Sequence, residues 1–227
     1  MTDVQATPGW FGKLSSLGDF ASRRLAPEWV SACDEWLSRC VDESRRSLGD
    51  AWLDAYLNAP VWRFAWGPGV AGSSWWFGVM MASCDNVGRY FPLLVAHPRP
   101  RLPSGAAGLD HLDAWWAHVA GAAMDTLSEG HSVDGFEQAL AAAPPWPEAA
   151  EAAVVQPLPT ADGRWRGEVG DGASTTQLVQ ALARDTWADR MHGHTLWWPL
   201  HAGRTRCVLM PALPSGAQFA EMLLGGG

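Results

Sequence analysis

Charge is scarce in this chain, and lysine nearly absent. Charged residues make up 18% of 227 positions, below the share of an ordinary soluble domain, and Lys13 is the single lysine. The balance of 16 Lys+Arg against 24 Asp+Glu leaves a net charge of −8. A surface of that sign repels phosphate backbones, so nucleic acid is not an expected partner. Membrane-length apolar runs are missing too. The dense apolar run Trp75 to Cys84 falls far short of the roughly 20 residues that cross a bilayer, so no direct membrane insertion is expected. No basic segment followed by an apolar stretch opens the chain, so no secretion signal is expected. Cys33, Cys40, Cys84 and Cys207 form neither a CxxC pair nor a dense framework. They read as reduced thiols of a cytoplasmic protein.

What the chain has in quantity is apolar and aromatic side chain. Hydrophobic residues reach 48%, and 15 tryptophans each bring a large apolar area and one indole N–H that needs a partner. A length near this builds a sizeable core, in one large domain or two small ones. Trp29, Cys33, Trp36, Leu37, Cys40 and Val41 recur at helical spacing, opened at Pro27 and stopped at Gly49. Asp50 is expected to cap a second, shorter helix that Pro60 ends. Trp62–Trp66 and Trp75–Met81 then read as strands around a Gly-Pro-Gly turn, and Tyr90–Ala96 as a third strand with Pro92 at its edge or start. The proline-rich stretch His97–Gly108 reads as a surface connection. A long helix follows through Leu112–Leu127, then a short one through Val133–Leu140. Residues 144–163 form a proline-rich excursion, Ser174–Gln177 has capping-box form ahead of another helix, and two strands and a final helix close the chain. Alternating helical and strand periods favour an α/β class: a three-layer α/β/α sandwich with a mixed, partly antiparallel sheet.

Motifs for catalytic, cofactor and metal chemistry are sparse in the chain. Gly9-Trp10-Phe11-Gly12-Lys13-Leu14-Ser15 superficially suggests a phosphate loop, but only two residues separate its glycines and Leu14 stands where a hydroxyl is required. It reads as a glycine-rich turn. His192, His194 and His201 lack an HExxH helix or a cysteine pair, so no metal site is assigned. No GxSxG is present, and no cofactor or catalytic set is assigned. Three polar-aromatic clusters remain: Gly18-Asp19-Phe20 with Arg23 and Arg24, Trp62-Arg63-Phe64, and Asp85-Asn86-Val87-Gly88-Arg89-Tyr90-Phe91-Pro92. Charges set among residues bound for the interior must pair, because an unpaired buried charge costs several kcal/mol. Arg63 or Arg89 is expected to bind Asp85 or Asp19 in bidentate fashion.

These same stretches resemble the type VI secretion-associated TagF family, also called ImpM. The resemblance is carried by Gly9–Leu14, with Gly12 and Lys13; by Gly18, Asp19, Phe20 and Arg24; and by Trp52–Phe64, with Trp62, Arg63 and Phe64. It continues through Gly88, Arg89, Tyr90, Phe91 and Pro92 after Asp85, and it is densest in residues 1–97. Leu196-Trp197-Trp198, Leu213-Pro214 and Phe219 match the family's closing segment. Ser15 and Met81–Asn86 depart from the usual family wording, with Asp85 kept. The resemblance implies a single domain over residues 1–227, and a cytoplasmic, non-catalytic accessory protein that represses type VI secretion after translation by binding a forkhead-associated scaffold protein. The matched residues serve either as internal fold determinants or as contacts for that partner. The competing expectation is a small hydrolase or ligand-binding enzyme using Asp85, Arg89 and a nearby histidine.

Overall fold

The computed structural model describes residues 7–103, 105–146, 156–158, 166–168, 174–200 and 207–226. In chain order the elements are β1 (Gly9–Gly12), β2 (Ala21–Arg23), α1 (Pro27–Leu48), α2 (Trp52–Leu57), β3 (Trp62–Trp66), β4 (Trp75–Met81), β5 (Leu93–Arg99), α3 (Gly105–Asp125) and α4 (Val133–Ala141). They continue with β6 (Gln156–Leu158), β7 (Arg166–Glu168), α5 (Thr175–Met191), β8 (His194–Pro199), β9 (Val208–Pro211) and α6 (Gly216–Leu223). Seven strands form one sheet in the order β2-β1-β5-β4-β3-β8-β9, and β6 pairs with β7 separately. The α/β class is as expected, but every pairing among the described strands is antiparallel where a mixed sheet was expected. The helical excursion after β5 returns the chain as β8 beside β3 and in the opposite direction, so no parallel crossover arises there.

The pleat sorts side chains into two clusters. Trp62, Phe64 and Trp66 of β3, Trp76 and Met80 of β4, and Leu94 and Ala96 of β5 pack with Trp29, Trp36, Tyr56 and Phe219 of α1, α2 and α6. Their neighbours Ala65, Trp75, Phe77, Val79, Leu93 and Val95 pack instead with Trp115, Trp116 and Val119 of α3, Phe136 of α4 and Met191 of α5. This is the period-two alternation of a sheet buried on both faces. At Gly78 a Cβ would stand 1.9 Å from the Val95 carbonyl oxygen and 2.5 Å from the Phe64 ring, so only glycine lets β4 and β5 close up beneath that ring.

Helix α1 forms where its spacing places it, with Pro27 in the first turn and Gly49 at its C-cap (φ 53°). Helix α6 opens on a capping box made by Ser215 and Gln218. Most buried indoles find the acceptor they need: Trp36 donates to the Pro214 carbonyl, Trp52 to Ser44, Trp62 to the Met222 carbonyl, Trp116 to the Gly78 carbonyl and Trp197 to Thr195. Trp29 and Trp66 have none, and their rings stack at 5.9 Å.

Four expectations are corrected. Gly9–Gly12 is not a turn but β1, wholly buried between β2 and β5. Asp50 sits in a short 3₁₀ turn, and α2 starts without a side-chain cap. The third strand begins at Leu93 because Pro92 offers no N–H to a ladder. Helix α3 already begins at Gly105, inside the stretch read as a surface connection. The excursion over 144–163 and the loop holding His201 lie largely outside the described residues.

Trp66 touches Trp29, Trp36, Phe64 and Trp197 and has no solvent exposure. Trp66→Ala is expected to cost about 3–5 kcal/mol in denaturant titration. Leu57→Ala, at a residue 59% exposed, should stay within about 0.5 kcal/mol.

Candidate functional site

The site assembles where β1 ends, at the turn that leads into β2, and at the turn that follows β4. Asp85 opens the second of these turns: its carbonyl accepts from the Gly88 N–H (3.1 Å), and Gly88 takes φ 79°, a conformation natural to glycine. The Asp85 carboxylate then folds inward. Its Oδ1 accepts from the backbone N–H groups of Val87 (3.1 Å) and Arg89 (2.8 Å). Its Oδ2 accepts from Lys13 Nζ and Arg89 Nε, each at 2.7 Å. Asp85 and Lys13 are only 2% and 4% exposed. Burial pushes the carboxyl's pKa up, but the donors from Lys13, Arg89 and Val87 outweigh it and hold the group well below the usual carboxylate range.

Arg89 extends the arrangement outward. A terminal nitrogen of its guanidinium donates to the Gly18 carbonyl, and the Asn86 N–H donates to the Leu17 carbonyl (2.9 Å). Gly12, at φ 137°, must be glycine, since a Cβ there would lie 2.2 Å from the Pro92 carbonyl oxygen. Beneath them Tyr56 donates to the Ser83 carbonyl (3.0 Å) and accepts from its N–H (3.1 Å), while Ser83 Oγ donates to the Lys13 carbonyl (2.8 Å). Phe20, 44% exposed, stands edge-on to buried Phe91 at 4.7 Å, with Lys13 Nζ 4.9 Å from its ring centre. Tyr90 packs edge-on against Trp52 and Tyr56. Outside the turn lies an open groove of about 510 Å³, walled by Ser38, Val41, Asp42 and Arg45 of α1 and by Gly88–Phe91.

Of the expected pairings, Arg89 with Asp85 forms, although its two contacts come from one side-chain nitrogen and the backbone N–H. Arg63 does not join it. Its side chain reaches Asp113 of α3 at 2.6 Å and lies 5.5 Å from the Trp198 ring, because β3 directs it toward the α3 side of the sheet. Asp19 pairs with neither arginine; it is exposed and accepts from the next backbone N–H, that of Phe20 (2.8 Å). Arg24, at φ 58°, leaves the cluster to bind Glu137 of α4 and the Pro8 carbonyl. Trp62 and Phe64 belong to the core. Glu137 and Asp113 were not singled out from the sequence, and Tyr56 and Ser83, inside the stretches compared with the family, were given no role of their own. Glu137 sits as a lone acid beside core Phe136 and also takes the Trp10 indole, a signal visible only once α4 meets β1.

Catalytic chemistry finds few tools here. No histidine is among the described hydrogen-bond partners of Asp85, and a carboxylate so strongly held as an anion is a poor proton shuttle. Burial pushes the Cys33 thiol far up and the Cys40 thiol up to about 12, which suppresses the thiolate. Among the described residues no group of three or more His, Cys, Asp or Glu is placed to hold a metal. No helix among them is long and apolar enough to cross a membrane.

Residues 9–143 match the family model of the TagF N-terminal domain, described as type VI secretion system-associated. The structure of PA0076 from Pseudomonas aeruginosa PAO1 is similar at 35% identity and a TM-score of 0.75, over 97% of this chain and 96% of that one. No curated protein matches significantly. The matched segment is more than half of the chain and contains β1, the Asp85 turn and its Lys13 and Arg89 partners. The protein is therefore an α/β domain of the type VI secretion-associated class. It belongs to the TagF family.

Two outcomes test the site's electrostatics. Asp85→Asn removes the charge that Lys13 and Arg89 share, and is expected to lower the thermal midpoint by roughly 5–10 °C, with Asp19→Ala nearly silent. Separately, His97 on β5 is buried between Trp115 and Trp146 with no hydrogen bond to Nε2, and burial, aided by Arg99, pushes its pKa down to about 3. The unfolded chain then binds the extra proton, so stability is full above about pH 6.5 and falls toward pH 3, by up to about 1.4 kcal/mol per unit. Asp85 adds its loss only below about pH 4. His97→Phe should flatten the profile between about pH 6 and 4 in chemical denaturation.

Proposed function

We propose that this protein is a non-catalytic, cytoplasmic repressor of type VI secretion, acting after translation by binding a forkhead-associated scaffold component of the apparatus. The observation that carries the reading is the TagF family match across β1 and the Asp85 turn. The geometry is compatible with it. The family-matching charges Lys13, Asp85 and Arg89 satisfy one another, leaving a braced surface in place of an acid/base pair. A repressor of this kind works by occupancy: only scaffold left free stays competent, so inhibition follows binding stoichiometry.

Calorimetric titration of the purified scaffold is expected to saturate at a fixed ratio near one to one, with scaffold recovered intact on dilution. Inhibition by trace amounts of protein, far below the scaffold concentration, would sink the occupancy reading.

A further inference from the structure

We propose that the groove between α1 and the Gly88–Phe91 turn is a docking site for an extended acidic segment of a protein partner, one that carries an apolar residue between its carboxylates. The inference rests on the reading of the chain as a binding protein and adds where, and to what chemistry, it binds. On a chain of net charge −8, this groove presents two guanidiniums. Arg45 stacks 4.2 Å over the Trp52 ring and has no carboxylate partner among the described residues. Arg89 is held by Asp85 through Nε and remains 57% exposed along its side chain. Asp85 is matched from within by Lys13, so Asp42, on the same α1 wall as Arg45, is the one other carboxylate in the groove's lining.

The apolar part of the surface is continuous with these charges. Tyr90 lines the groove half-buried, Val41 and Phe91 line it with only 5% of each exposed, Phe91 meets the ring of half-exposed Phe20, and Val87, 68% exposed, stands on the same turn. Aromatic and arginine side chains held in place are the usual anchors of protein interfaces. The two arginines stand on different walls, which suits carboxylates spaced along a strand-like segment. A single phosphate needs convergent donors, and Asp42 would oppose its second charge.

The test uses fluorescence anisotropy of the full chain with a labelled peptide of alternating glutamate and leucine, a lysine–leucine counterpart, and inorganic phosphate as competitor. The acidic peptide is expected to bind and the basic one not, with about 10 mM phosphate displacing little and rising salt weakening the complex. Arg45→Glu should weaken binding at least about tenfold, and Leu127→Glu, on an exposed residue beyond α3, should leave it unchanged. Asp42→Asn removes the opposing charge without touching a described side-chain contact and should tighten binding by about two- to fivefold, which misfolding cannot imitate. Equal affinity of wild type and Arg45→Glu, no gain from Asp42→Asn, or full displacement by phosphate would overturn the assignment. Capture of the scaffold is scored in parallel. If Arg45→Glu captures it as well as wild type does, the groove assignment falls and the scaffold reading stands. Acidic-peptide binding without scaffold capture does the opposite: the groove assignment stands and the scaffold reading falls.

Discussion

A carboxylate that has been taken almost wholly out of water sets the terms for this end of the molecule. Asp85 tolerates burial only while four donors converge on it, and these come from separate stretches of chain: the residue after β1, and the backbone and side chain of its own turn. Arg89 then passes the constraint on to the Gly18 turn. Each donor is in place only if β1 is paired with β5 and the turn closes over Gly88. Buried ion pairs of this sort often add little net stability compared with a well-packed apolar replacement, while removing one partner is costly. Here the shared contacts tie the Asp85 turn to the end of β1 and to the Gly18 turn.

The rest of the fold supplies the platform. Large aromatic side chains on alternating faces of one antiparallel sheet fill both interiors, and several of their indole N–H groups are spent on backbone carbonyls of other elements. Those bonds tie α1 to the segment before α6, β3 to α6, and α3 to β4. A surface mounted on such a scaffold has little loop entropy to lose when a partner arrives, which is how a modest contact area gives useful affinity.

Much of this was readable in the residues. Helix α1, strands β3 and β4 and the pairing of Arg89 with Asp85 follow from periodicity and from the cost of burying charge. Strand β1 did not, because Gly9, Gly12 and Lys13 look like a loop until β5 and Leu25 are seen pressing against the places where side chains would be. Nor did the partners of Arg63 and Arg24, since Asp113 and Glu137 lie on helices 50 and 113 residues further along the chain, and local spacing carries no information about which helix covers which face. The cluster's membership was legible; its division into a buried brace and an outward rim was a product of tertiary packing.

Lys13 has one more implication. It is the chain's single lysine, and its amine is sealed against Asp85 with 4% of the residue exposed. Side-chain acetylation, ubiquitin conjugation within the folded domain, and amine-directed cross-linkers therefore find no reactive ε-amine among the folded elements. Chemical mapping of any complex this protein forms can instead use its carboxylates, its arginines or the exposed Cys207 thiol.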